Sequence, residues 1–199
     1  SIESVNGVMN ALAPHYHIRV FTRHKVPDGF FDAIDMVVFP GGVGDDSAYV
    51  SLLKNNIDEI KTFLRRGGKY LGICMGAYWA GKNYFNMLDD VEPEQYIKRP
   101  YTDTRRPHAK NIKINWNGSD TEMFFYDGCA LVGSGNYETI ATYANGDPMA
   151  IIQRNIGLIG CHPESQKFWY DSYKKMEPDW HDGKHHKLLL GFVDQLMER

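Results

Sequence analysis

The amino-acid sequence predicts an α/β fold in which a parallel sheet is flanked by helices. Segments with the apolar spacing of helices alternate with short apolar segments, as in proteins built from βα units. Residues 35–40 and 69–74 are apolar almost throughout, which is typical of parallel strands that are buried on both faces. Glycines and other small residues follow both segments, where parallel sheets place their functional groups.

The composition is that of one globular domain spanning residues 1–199, with 43% apolar and 24% charged residues. The net charge of −3 argues against a nucleic-acid partner, which would favour a basic protein surface. No apolar run approaches the roughly 20 residues that span a bilayer, so a membrane partner is not expected. Three cysteines, an odd number, and the lack of a signal-peptide pattern favour a cytoplasmic location.

Apolar spacing also predicts the remaining elements of the chain. In the first half it predicts helices at residues 1–12 and 50–66 and a strand at 17–22. In the second half, alternating residues between turn signals predict antiparallel hairpins. Their strands are residues 110–116, 123–132, 138–144 and 149–154, and a buried strand at 155–161 and helices at 168–176 and 185–197 follow. The polar residues 93–107 are predicted to form a loop over one end of the sheet.

The most informative motif is Gly72-x-Cys74-x-Gly76, which lies between a buried strand and the start of a helix. This is the nucleophile-elbow pattern, with cysteine at the position where many hydrolases have serine. The glycines let the strand and helix approach a tight, strained turn, and a helix N-terminus favours the thiolate. The alternative is a buried, structural cysteine at the end of a glycine-rich strand.

A second motif, Cys-His162-Pro-Glu164, follows another buried strand. A cysteine nucleophile needs a base, and the base needs an acceptor that orients it. His162 and Glu164 are two residues apart at the carboxyl end of a strand, so both can face the crevice that contains Cys74. His162 alone would be interpreted as a histidine that closes the strand, but the two motifs together predict a Cys-His-Glu triad.

The third motif, Pro-Gly41-Gly42, follows the strand at residues 35–40. Consecutive glycines can turn backbone N–H groups toward an oxyanion. We therefore expect Gly41, Gly42 and the N–H of Met75 to contribute to an oxyanion site. Asp45 and Asp46 are interpreted as caps of the next helix rather than as catalytic carboxylates.

These motifs and their order resemble class I glutamine amidotransferase-like domains, whose fold is flavodoxin-like. Such domains carry Gly-x-Cys-x-Gly, a His-Pro-Glu near the C-terminus and a Pro-Gly-Gly oxyanion loop, and the resemblance covers nearly the whole chain. The chain is most similar to the domain at the N-terminus of some biotin-protein ligases, in a free-standing form. The similar segments are Ser-x-Glu-Ser-Val, Phe-Pro-Gly-Gly and Gly-Gly-x-Tyr-Leu-Gly-Ile-Cys-x-Gly-Ala-Tyr. The antiparallel hairpins would then be inserted after the nucleophile helix.

The resemblance implies a hydrolase or amidotransferase-like enzyme that acts on an amide or related acyl group of a small molecule or peptide. Cys74 would attack the acyl group, His162 would transfer the proton and Glu164 would orient His162. No metal and no organic cofactor is implied, and a protein partner is compatible with the family. The competing hypothesis is a catalytically silent binding or structural protein on the same fold.

One residue departs from the pattern of the glutamine-hydrolysing members. They carry glutamine four residues after the nucleophile, where its amide helps to hold the substrate, whereas this chain has Tyr78. An aromatic ring fills space and offers no amide, so free glutamine is expected to be a poor substrate.

Three histidines near the C-terminus, His181, His185 and His186, form a further cluster. A metal site would need ligands at tetrahedral spacing, and no cysteine or firm carboxylate partner accompanies them. A solvated start of the last helix is the preferred interpretation, and no metal ligand is assigned.

The resemblance finally implies a strand before residue 1. In a flavodoxin-like sheet that strand lies between the second and third strands, here residues 17–22 and 35–40. An empty central position would leave two rows of backbone donors and acceptors unpaired. A strand of about 5–10 residues, from the N-terminus or from another chain, is therefore expected there.

Overall fold

The computed structural model describes residues 1–22, 26–42, 49–50 and 56–199, which contain a mixed sheet of seven strands. The strands are β1 (Met36–Phe39), β2 (Lys69–Ile73), β3 (Val91–Gln95), β4 (Lys110–Trp116), β5 (Ser119–Phe125), β6 (Cys129–Gly133), β7 (Glu138–Tyr143), β8 (Pro148–Gln153) and β9 (Ile156–Ile159). The large sheet has the order β1-β2-β9-β8-β7-β4-β5, and β3 pairs with β6 in a second, two-stranded sheet.

The helices of the described ranges lie on both sides of the large sheet. They are α1 (Ile2–Leu12), α2 (Ile57–Arg65), α3 (Met75–Tyr78), α4 (Lys167–Asp171) and α5 (Lys184–Met197). Short 3₁₀ turns occupy Phe30–Ala33, Tyr96–Lys98 and Glu177–Asp179. Within the part of the chain that the structure describes, no helix has both the length and the apolar character that a membrane span requires.

The pairing of the strands sets the position of the candidate site. β2 pairs in parallel with β1 on one side and with β9 on the other, so the carboxyl ends of these three strands meet at one edge. The strands β8, β7, β4 and β5 then extend the same sheet in antiparallel pairs. The predicted α/β class, with a parallel part and antiparallel hairpins after the nucleophile helix, is confirmed.

Each face of the sheet carries its own hydrophobic core, because successive side chains of a strand point to opposite faces. Leu71 and Ile73 of β2 pack in a core with buried residues of α1 and α5, such as Leu12 and Leu189. Tyr70 belongs to the other core, which is rich in aromatic rings. Burial of β2 on both faces explains why its sequence is apolar almost throughout.

The prediction of a strand at residues 17–22 is wrong. This segment forms a single bridge at Thr22 and no strand. Most of it is exposed, and Phe21 attaches it to the protein by packing edge-on against Phe30 and Phe39, at centroid distances of 5.1 and 6.1 Å. An alternating segment becomes a strand only where a neighbouring strand offers backbone hydrogen-bond partners. In the described part of the sheet the first strand in the order is β1, and residues 17–22 add no strand to it.

The strand predicted at residues 123–132 is two strands, β5 and β6, separated by a turn at residues 126–128. Asp127 has a positive φ of 46° in this turn, and a Cβ at Gly128 would lie 2.1 Å from the carbonyl oxygen of Gly160. β6 then pairs with β3, which occupies the start of the predicted loop at 93–107.

The boundaries of two predicted helices also differ. The helix expected at residues 168–176 is the short α4, and the chain continues in turns. Of the helix expected at residues 50–66, residue 50 is helical and Ile57–Arg65 forms α2, with a turn at residue 56. Residues 51–55 lie outside the described part of the chain, as do Asp45 and Asp46 with their predicted capping role.

Candidate active site

Three adjacent strands end at the same place and bring the predicted residues together. Cys74 follows β2, the loop with Gly41 and Gly42 follows β1, and His162 lies three residues beyond β9. The N–H of Cys74 donates a hydrogen bond of 2.8 Å to the carbonyl oxygen of Ile159, which continues the pairing of β2 with β9. The site therefore lies at the carboxyl edge of the parallel strands.

Cys74 occupies a strained backbone conformation, with φ 49° and ψ −103°. Glycines on both sides make this turn feasible: a Cβ at Gly72 would lie 2.4 Å from the carbonyl oxygen of Gly76. A Cβ at Gly76 would lie 1.8 Å from the carbonyl oxygen of Phe39 on β1. Side chains larger than hydrogen are thus excluded at both positions, and the backbone has the geometry expected of a nucleophile elbow.

The helix that the sequence predicts after Cys74 is short. α3 contains only four residues, so few peptide dipoles add up at its N-terminus. Its dipole is therefore small at the position of the sulfur. The imidazole of His162, whose pKa is raised, is the neighbouring group that can carry a positive charge.

His162 and Glu164 form a buried pair. Nδ1 of His162 lies 2.8 Å from Oε1 of Glu164, and the two residues are 5% and 0% exposed. Burial alone would lower the pKa of His162, but the charges of Glu164 and Cys74 and hydrogen bonds with both side chains outweigh it and raise the pKa. The pair therefore favours a charged imidazolium between a carboxylate and a sulfur.

Aromatic residues hold the imidazole ring of His162 in place. Phe124 and Trp169 meet the ring edge-to-face, at centroid distances of 5.9 and 5.6 Å. The backbone N–H of His162 donates a hydrogen bond of 2.9 Å to the carbonyl oxygen of Phe124. The ring is thus held in the orientation that pairs its Nδ1 with Glu164.

Cys74 is 4% exposed, and its sulfur lies 3.5 Å from the carbonyl oxygen of Tyr126 in the turn between β5 and β6. The other two cysteines, Cys129 and Cys161, are fully buried, and burial raises the pKa of both thiols well above the ordinary value. All three are free thiols.

The two glycines of the Pro-Gly-Gly loop have different surroundings. The N–H of Gly41 donates to the hydroxyl of Ser4 at 2.8 Å and is therefore not available to an oxyanion. Gly42 faces Met75: a Cβ at position 42 would lie 2.3 Å from the terminal methyl group of Met75. Among the described residues, the N–H groups of Gly42 and Met75 have no acceptor, which leaves them available.

Ser4 is the residue that the sequence analysis did not assign to the site. Its hydroxyl donates a hydrogen bond of 2.7 Å to Oε1 of Glu164. A signal was present: a serine stands on the face of α1 that also carries the buried Gly7, Val8 and Ala11. A small polar residue on an otherwise apolar helix face requires a buried partner.

Tyr78 closes one side of the site. Its hydroxyl donates a hydrogen bond of 3.0 Å to the carbonyl oxygen of Asp127, in the turn that also contacts the sulfur of Cys74. Burial raises the pKa of Tyr78, so the hydroxyl remains a donor. The side-chain amide of Gln95 contacts the same turn, where its Nε2 donates hydrogen bonds of 3.1 and 3.0 Å to the carboxylate oxygens of Asp127.

The interpretation of the C-terminal histidines as a solvated helix start is wrong, because His181 and His185 are buried. Nε2 of His181 and Nε2 of His186 each lie 3.0 Å from the carbonyl oxygen of Ser165. A carbonyl only accepts, so both nitrogens carry the proton. No group of His, Cys, Asp and Glu in the described ranges could hold a metal ion. His181 and His186 instead hold the backbone of Ser165, the residue that follows Glu164.

Solved structures share the architecture of this chain and show its fold. A glutamine amidotransferase superposes with a TM-score of 0.68 at 15% identity, over 98% of this chain and 94% of its own. The PurLQS structure from Thermotoga maritima superposes with a TM-score of 0.64 at 15% identity, over 96% and 92%. The fold is that of class I glutamine amidotransferase-like domains.

Sequence comparison then gives the family. The chain is 29% identical over 156 residues to the imidazole glycerol phosphate synthase subunit HisH of Picrophilus torridus, which is 67% of this chain and 75% of that protein. The family model of the biotin-protein ligase N-terminal region matches residues 1–100. The chain belongs to the biotin-protein ligase N-terminal family, and the resemblance found in its sequence is confirmed.

Proposed function

We propose that the chain is a Cys-His-Glu hydrolase of the amidotransferase type, acting on an amide or related acyl group of a small molecule or peptide. The observation that supports this most is the buried pair of His162 and Glu164, whose Nδ1 and Oε1 atoms lie 2.8 Å apart, together with Cys74, whose charge also raises the pKa of His162. A histidine that merely closed a strand would need neither partner.

The reaction would follow from these groups. The thiolate of Cys74 attacks the carbonyl carbon, and the N–H groups of Gly42 and Met75 stabilise the oxyanion. The imidazolium of His162 gives its proton to the leaving amine as the C–N bond breaks, which leaves a thioester on Cys74. Neutral His162 then takes a proton from water, the hydroxide attacks the thioester, and the acid and the thiol are released.

The substrate is proposed to be something other than free glutamine. Tyr78 occupies the position of the substrate-holding amide, and its hydroxyl is already bonded to the carbonyl oxygen of Asp127. Glutamine would therefore bury a polar group without a hydrogen-bond partner, and it would bind less tightly by about 1–3 kcal/mol.

A second candidate is a binding or structural protein that retains the fold without turnover. Cys74 and His162 are only 4% and 5% exposed, and Tyr78 and the turn at residues 126–128 lie beside the sulfur. An enzyme with this site would have to open it to admit an acyl group. A binding protein would not.

HisH is named as a subunit of its synthase, and this motivates one further part of the proposal. A protein partner that moves the turn at residues 126–128 would open the site. A cytoplasmic partner would also fit three free cysteines.

A screen for ammonia and acyl-product release over a panel of amides and peptides tests the proposal. Turnover should depend on Cys74 and be absent from Cys74→Ala, whereas Cys161→Ala, a matched change of a thiol next to His162 in sequence, should retain it. Equal turnover in Cys74→Ala and the unmodified protein would contradict an enzymatic role of Cys74. Tight binding of a panel member without turnover would favour the second candidate.

A further inference from the structure

The hydroxyl of Ser4 joins two parts of the site that come from distant segments of the chain. Its oxygen accepts a hydrogen bond from the N–H of Gly41 at 2.8 Å and donates one to Oε1 of Glu164 at 2.7 Å. The same Oε1 atom lies 2.8 Å from Nδ1 of His162. Ser4 is 1% exposed, so solvent has little access to either bond.

We propose that Ser4 is a positioning residue that sets the carboxylate of Glu164 and the oxyanion loop at the same time. This inference rests on the proposed function. Ser4 holds Glu164 in the orientation that meets His162, and it turns the N–H of Gly41 away from the acyl group. The N–H of Gly42 is then left to face the oxyanion.

The direction of the hydrogen bonds is fixed by chemistry. A backbone N–H can only donate, so the oxygen of Ser4 accepts from Gly41 and its single proton goes to Glu164. Oε2 of Glu164 is buried and has no partner among the described residues. Within the described chain, the carboxylate therefore depends on two bonds, one from Ser4 and one from His162.

Loss of the hydroxyl should change the protonation of the site. The carboxylate of Glu164 is one of the groups that raise the pKa of His162, and without its bond from Ser4 it is held less firmly against the imidazole. The pKa of His162 should therefore fall. The imidazolium beside the sulfur of Cys74 should then lose its proton at a lower pH than in the unmodified protein.

Alkylation of Cys74 by iodoacetamide measures this without a known substrate. In Ser4→Ala the upper inflection of the rate-against-pH profile, where His162 loses its proton, should move down by about one pH unit. Ser4→Thr keeps the hydroxyl and should restore the original profile. Ser172→Ala is the matched control, because the exposed hydroxyl of Ser172 bonds to the carbonyl oxygen of Phe168, away from Cys74. A Ser4→Ala profile that overlays that of the unmodified protein would overturn the proposal.

A double variant separates positioning from a merely structural role. In a Glu164→Gln background there is no carboxylate to stabilise, so adding Ser4→Ala should shift the profile no further. An equal shift in both backgrounds would show that Ser4 acts independently of Glu164 and would also overturn the proposal. If Ser4→Ala does not fold by circular dichroism, Ser4→Cys, a weaker donor of similar size, should give a smaller shift in the same direction. An unshifted Ser4→Cys profile would then count against the proposal.

Failure of the proposed function would be visible separately. If Cys74 of the unmodified protein reacts no faster than Cys129 or Cys161 at neutral pH, the proposed nucleophile is wrong before Ser4 is considered. If Cys74 is the reactive thiol and only the Ser4→Ala shift is missing, the proposed function stands and the role of Ser4 is wrong.

Discussion

Gly41 lies directly against the imidazole ring of His162. A Cβ at position 41 would be 2.6 Å from Cε1 and 3.2 Å from Nδ1 of His162. The Pro-Gly-Gly loop therefore does more than offer N–H groups, since its first glycine also forms one wall of the cavity that holds the proposed base. The contact explains why a glycine is needed at a position whose N–H points to Ser4 rather than to a substrate.

Gly41→Ala should therefore displace His162 and reduce Cys74-dependent turnover. Misplacement of a catalytic group by about 1 Å can lower a rate on the order of 100-fold. The measurement is the rate of Cys74 alkylation or of acyl turnover beside a thermal unfolding curve. Gly191→Ala is the control, because no atom lies within 4 Å of a Cβ there and the residue is in α5. Equal rates for the two variants would contradict the contact.

Variants of His162 and Glu164 should lose activity unequally. His162→Asn removes the group that transfers the proton and should abolish measurable turnover. Glu164→Gln keeps the shape of an acceptor without the charge that stabilises the imidazolium, so it should leave a residual rate lower by a factor of about 100 to 10,000. Small and equal losses, measured as kcat/KM on any substrate from the amide screen, would show that the two residues are not catalytic.

The importance of Tyr78 for substrate choice can be tested by a gain of activity. Tyr78→Gln places an amide at the position where the resemblance to glutamine-hydrolysing domains implies one, and glutamine hydrolysis should rise about 10-fold or more. Tyr78→Phe removes the hydroxyl that is bonded to Asp127 without adding an amide, so its rate of glutamine hydrolysis should not rise. Efficient ammonia release from glutamine by the unmodified protein would contradict the prediction.

The buried histidines behind Glu164 should make stability depend on pH. Burial lowers the pKa of His181 to about 4 and, with the neighbouring charges of His181 and His186, that of His185 to about 3. In the unfolded chain these histidines have the ordinary pKa of about 6.5 and take up protons below that pH. The folded protein takes up the same protons only at a lower pH, so the free energy of unfolding falls as the pH drops from about 6.5 toward 4.

Thermal unfolding at about pH 7.5 and about pH 5 measures this effect. The melting temperature should fall by at least about 2–4 °C, and the fall should be smaller in His185→Gln. His15→Gln, a change of an exposed histidine, should leave the fall unchanged. The same fall in both variants would mean that His185 does not contribute.

The sequence was most informative where a residue's neighbours in the chain are also its neighbours in space. Gly72, Cys74 and Gly76 all belong to one turn, and the close contacts of that turn account for the glycines that the motif displays. His162 and Glu164 are two residues apart, and the pair could be proposed from that spacing.

Other features depended on partners that are far apart in sequence. Ser4 bonds to Gly41, 37 positions away, and to Glu164, 160 positions away, so its place on the apolar face of α1 signals a buried partner without identifying it. The segment at residues 17–22 has an alternating sequence, yet pairing decides whether such a segment becomes a strand. The break at Asp127 depends on the close approach of Gly128 to Gly160.

We propose that Cys74 is a nucleophile that reacts beside the imidazolium of His162. The most direct test is sub-stoichiometric alkylation with iodoacetamide at neutral pH, followed by peptide mapping, in the unmodified protein and in His162→Asn. Label should accumulate on Cys74 ahead of the fully buried Cys129 and Cys161, and this preference should be lost in His162→Asn. Preferential labelling of Cys129 or Cys161, or a Cys74 rate that does not change in His162→Asn, would contradict it.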